Sequence, residues 1–94
     1  MTMTTTQRIF VSGKVQGVGY RDHMCRKARD HGVVGWVRNT RDGRVEMLAS
    51  GDDAAVQAFV EAAHTGPSFA RVDHVEAHPD SEAPAKGFTK RFTA

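Results

Sequence analysis

Near the start of the chain, the run Gly13-Lys14-Val15-Gln16-Gly17-Val18-Gly19-Tyr20-Arg21 places three glycines within seven residues. Before it, Arg8-Ile9-Phe10-Val11 is short, β-branched and aromatic, and predicts a strand over residues 7–12. After it, Met24, Cys25 and Ala28 recur at the spacing of a helical apolar face, with Gly32 as a stop, and predict a helix over 22–31. A glycine-rich connection from strand to helix is a shaped loop, because glycine reaches backbone conformations that side chains forbid. Its successive N–H groups and the positive end of the helix favour an anion. Arg21 at the rim can present two N–H groups in one plane to two phosphate or carboxylate oxygens. The bland alternative is a tight turn with a solvated arginine, and spacing alone leaves the two about even.

Further along, residues 33–39 and 44–49 both predict strands, and the Asp42-Gly43 pair between them predicts a hairpin. Val56, Phe59, Val60 and Ala63 mark a second amphipathic helix, with Asp52 and Asp53 at its start and Gly66-Pro67 at its end. Residues 69–78 predict a strand around Val72 and Val75, and residues 87–93 a short last strand with Phe88 and Phe92. The order is βαββαβ with a small added strand, a ferredoxin-like α/β sandwich with one antiparallel sheet and both helices on one face. Ninety-four residues make a single domain over 1–94, with residues 1–6 as a polar, frayed terminus.

The end of the first hairpin strand holds the second group of interest, Gly35-Trp36-Val37-Arg38-Asn39. Strand alternation sends Val37 and Asn39 to one face and Trp36 and Arg38 to the other. A carboxamide both donates and accepts hydrogen bonds, so Asn39 can hold and aim a water; equally, it can bond its own backbone at the head of the turn.

Both groups resemble the two signatures of the acylphosphatase family: Gly13 to Arg21 the first, and Gly35-Trp36-Val37-Arg38-Asn39-Thr40-Arg41-Asp42-Gly43-Arg44-Val45, closing at Gly51, the second. The resemblance runs from about Gln7 to Phe92. It implies hydrolysis of a small-molecule acyl phosphate, with no cofactor and no metal. The phosphoryl group would be held by Val15, Gln16, Gly17, Val18, Gly19, Tyr20 and Arg21, and the water placed by Asn39, making Arg21 and Asn39 the catalytic pair. The alternative is a non-catalytic anion-binding module of the same fold, which would use Arg21 and the loop but has no need of Asn39.

Other functions find little support. Thirteen Lys and Arg against eleven Asp and Glu leave a net charge of +2, spread in alternating signs, which argues against a nucleic-acid partner. No apolar run of about twenty residues exists to span a membrane. The single Cys25 reads as a buried core residue in a reducing, cytoplasmic setting. His74 and His78, four residues apart on a strand, stand about 13 Å from each other, too far to share a metal. Small size favours a monomer.

Overall fold

The computed structural model describes residues 3–93. Its elements follow the expected order: β1 (Thr4–Lys14), α1 (Tyr20–His31), β2 (Val34–Asn39), β3 (Val45–Asp52), α2 (Asp53–Ala63), β4 (Arg71–Pro79) and β5 (Phe88–Lys90). They build a five-stranded sheet in the order β4-β1-β3-β2-β5. Ile9, Val11, Val37, Val45, Met47 and Ala49 alternate along the central strands and form one buried cluster with Met24, Cys25 and Ala28 of α1 and Val56, Phe59 and Ala63 of α2. Both helices therefore cover the same face, as the two apolar stripes require.

Three expectations are corrected. The sheet is mixed, because β5 runs parallel to β2, with Gly35 opposite Phe88 and Val37 opposite Lys90. Chain leaving β4 crosses the end of the sheet to the far edge and returns in the direction opposite to β4, which is also the direction of β2. Arg8 anchors this crossover through Asp80 at 2.8 Å and Glu82 at 3.0 Å, while Trp36 Nε1 donates to Glu82 at 3.3 Å. Secondly, Thr4 to Thr6 are not frayed. They extend β1 and pair with Asp52, Gly51 and Ser50, with Thr6 Oγ1 and Ser50 Oγ 2.9 Å apart and Thr5 Oγ1 donating to Asp53. Met1 and Thr2 lie outside the described residues. Thirdly, Phe69 and Phe92 belong to no strand and are 77% and 96% exposed.

Gly13 is part of β1 as well, and the pairing with β4 shifts there: Ser12 faces His74 but Gly13 faces Val72. One extra residue, Asp73, bulges out, so Val72 and Val75 both pack on the core despite an odd spacing that would otherwise split them between faces. A Cβ at Gly13 would lie 2.2 Å from the Arg71 carbonyl oxygen, which is why no larger residue fits.

Candidate active site

The connection from Lys14, the last residue of β1, to Tyr20, the first of α1, is fixed from below and open above. Val15 is 1% exposed and Val18 packs against the core, whereas Gly17 and Gly19 face solvent. Gly19 is the residue before α1, in the left-handed conformation with φ 80° and ψ 14°, a geometry that costs glycine little. No side chain caps the helix there, so the N–H groups of its first turn stay available. Tyr20 contributes in two directions. Its backbone belongs to that first turn, while its buried hydroxyl donates to the Ala63 carbonyl at 2.6 Å and ties the start of α1 to the end of α2. Burial pushes the Tyr20 phenol well above its ordinary range, so it stays neutral. Val15, Gly17, Gly19, Tyr20, Arg21, Asp22 and Lys90 together line a recess of about 130 Å³.

Gln16 connects this loop to the β2–β3 hairpin. Its Nε2 donates to the carbonyls of Thr40 and Arg44, both at 2.8 Å. The end of β2, where Asn39 sits, is thereby drawn against the loop. Asn39 itself pairs with Val45 in the ladder, and its side-chain oxygen is buried with no hydrogen-bond partner among the described residues. The turn closes without it. The Thr40 hydroxyl donates to Asp42, the Thr40 N–H donates to the Arg44 carbonyl at 2.9 Å, and the Arg44 N–H donates to Thr40 Oγ1 at 3.0 Å. The roles a turn-forming asparagine would fill are occupied by its neighbours. A buried acceptor left open costs free energy unless a water or ligand satisfies it.

Arg21 is held by chain from the opposite end of the sequence: its Nη1 donates to the Arg91 carbonyl at 3.3 Å, and the Arg91 N–H donates to Val37 at 2.8 Å. Lys90, beside it, pairs with Asp22 at 2.8 Å, and that ammonium holds the Asp22 carboxyl below the usual carboxylate range. No sequence motif points to Lys90 or Arg91, because only the parallel pairing of β5 with β2 brings Lys90 to the recess and the Arg91 carbonyl to Arg21.

Of the expected site residues, Val15, Gly17, Gly19, Tyr20 and Arg21 line this recess and Gln16, Val18 and Asn39 do not; nor do Cys25, His74, His78 and Trp36. Cys25 is buried, which pushes its thiol up and away from reactivity. His74 and His78 are both exposed on β4 on either side of Glu76, with His78 Nε2 2.8 Å from its carboxylate. Trp36 lies under the guanidinium groups of Arg8, Arg38 and Arg91 at 4.7–5.6 Å and is 3% exposed.

The model of the acylphosphatase family matches residues 7–92. The chain belongs to that family. An acylphosphatase from Acidovorax sp. is 50% identical over 88 residues, which cover 94% of this chain and 91% of the relative. Among solved structures, an acylphosphatase from Coxiella burnetii superposes with a TM-score of 0.88 at 33% identity, covering 94% of this chain and 93% of its own. One from Bacillus subtilis superposes at 0.80 with 40% identity and 97% of both chains covered. Family membership over nearly the whole length makes the chain a hydrolase of acyl phosphates.

Proposed function

We propose that the chain hydrolyses the carboxylic-phosphoric anhydride by direct attack of water, with the phosphoryl group held by the 14–20 loop amides and Arg21 and the water held by Asn39. The observation that carries this reading is the buried, unpartnered Asn39 oxygen at the end of the strand that Gln16 draws toward the loop. An anion-binding module has no use for that acceptor.

The chemistry asks for little else. The leaving carboxylate has a conjugate acid of pKa roughly 4, so it departs without a proton donor. The water oxygen bonds to phosphorus as the bridging phosphorus–oxygen bond breaks, and the carboxylate leaves with that electron pair. A carboxamide is no base, so the water's proton passes to a phosphoryl oxygen or to solvent. Catalysis then rests on alignment and on neutralising the equatorial oxygens, the main tools of phosphoryl transfer. Exposed glycine amides, an uncapped helix start and one guanidinium are suited to both tasks. We further take the chain to act as a monomer in the cytoplasm, a reading supported by its small size and its single, buried cysteine.

The test is the loss of absorbance from benzoyl phosphate in excess EDTA, alongside the Arg21→Ala variant. Turnover by the parent protein that resists chelation and falls sharply in the variant is expected, with phosphate inhibition lost as well. Normal phosphate binding by Arg21→Ala would place the anion site elsewhere.

A further inference from the structure

The recess of about 130 Å³ is smaller than the roughly 300–1,000 Å³ of typical small-molecule pockets, so it accounts for the phosphoryl group and leaves the acyl group unplaced. A second depression of about 530 Å³ lies between α1 and β5 and shares Asp22 and Lys90 with the first. Its floor is apolar, made by Cys25 at 6% and Phe88 at 7% exposure. Its rim carries Arg26 and Arg29, three residues apart and so on one side of the helix. Asp22, the one carboxylate there, is already paired with Lys90, whereas neither arginine forms an ion pair or side-chain hydrogen bond among the described residues. The groove thus offers an apolar strip for a carbon skeleton and two exposed guanidinium groups at its edge that are bonded to no carboxylate among the described residues, although the charge of Arg26 also helps to hold the Asp22 carboxyl down.

We propose that this groove seats the acyl group and favours acyl phosphates whose acyl chain carries a second anionic group, such as a carboxylate, that meets Arg26 and Arg29. Guanidinium groups suit that partner because their planar N–H pairs match carboxylate oxygens. The inference rests on the hydrolase reading above and adds the substrate class to it. Both arginines are exposed, so their effect is electrostatic selection in solvent and weakens as salt rises.

The experiment compares benzoyl phosphate with 4-carboxybenzoyl phosphate, in the parent protein and in an Arg26→Gln/Arg29→Gln double variant, at low ionic strength. The readout is the ratio of the two kcat/KM values, in which the intrinsic reactivity of each anhydride cancels between proteins. Because exposed ion pairs each contribute a few-fold, the ratio should fall about five- to tenfold in the double variant, mostly through KM, and further in Arg26→Glu/Arg29→Glu. Glutamine keeps the helix propensity, and far-ultraviolet circular dichroism verifies the fold. Hydrolysis of benzoyl phosphate with a ratio unmoved by the substitutions overturns the groove alone. Failure of the parent protein to hydrolyse either compound overturns the hydrolase reading and the groove with it.

Discussion

Asn39 and Gln16 were not equally legible as residues. Asn39 stood out in the sequence because a carboxamide at a strand end has two readings; in the structure Thr40 and Asp42 close the turn, and the Asn39 oxygen has no hydrogen-bond partner among the described residues. Gln16 is part of a recognisable motif, yet what it does depends on a contact 24 and 28 residues away, which no local pattern encodes. Two hydrogen bonds to backbone carbonyls, each worth about 0.5–1.5 kcal/mol net, fasten the loop to the hairpin. Gln16→Ala should therefore lower stability by about 1–3 kcal/mol in urea titration and raise KM and the phosphate inhibition constant together by several-fold. A variant that loses stability while both constants stay put would show that Gln16 supports the fold and not the recess.

At the scale of elements, both helices and the hairpin were readable, since each carries its own periodicity and its own stop. Val56, Phe59 and Ala63 are buried as their spacing requires, and so are Met24, Cys25 and Ala28. What escaped was decided by pairing partners. The threonines at the start of β1 look polar and loose until β3 lies beside them. Val72 and Val75 share a face only because of the shift opposite Gly13. Phe92 looks like strand material, but β5 ends at Lys90, and the segment beyond it turns to bring the Arg91 carbonyl to Arg21. The glycine loop, in contrast, was visible as a shaped strand-to-helix turn because its features are local: glycine at the helix start, no side-chain cap, arginine in the first turn.

Across the whole molecule, charged groups on the outer sheet face hold the crossover in place. Glu46, 6% exposed, lies between Arg8 at 2.5 Å and Arg38 at 2.8 Å, and Arg8 continues to Asp80 and Glu82. The Arg8 guanidinium holds the Asp80 carboxyl below its ordinary range, as Lys90 does for Asp22 and a hydrogen bond from Thr40 does for Asp42. A carboxylate with a depressed folded pKa takes up fewer protons folded than unfolded, so its contribution is present above the unfolded value of about 4 and lost as pH falls through the folded one. His23 works in the same direction at higher pH, since desolvation depresses its folded pKa below about 6.5 and the unfolded chain binds the proton more readily. Thermal melts should accordingly show a shallow decline in Tm below about pH 6.5 and a steeper one below about pH 4. A Tm that rises on acidification would contradict these assignments.

In the proposed mechanism an asparagine, and no ionisable group, holds the attacking water while the loop and Arg21 hold the phosphoryl group. Benzoyl phosphate hydrolysis and its inhibition by inorganic phosphate, measured in Asn39→Ala beside the parent protein, decide between this and a purely structural asparagine. Loss of a positioning group at a developing charge lowers turnover by about 10²–10³, and that fall is expected with phosphate inhibition nearly unchanged. Undiminished turnover in Asn39→Ala would remove the residue from the reaction and overturn the mechanism.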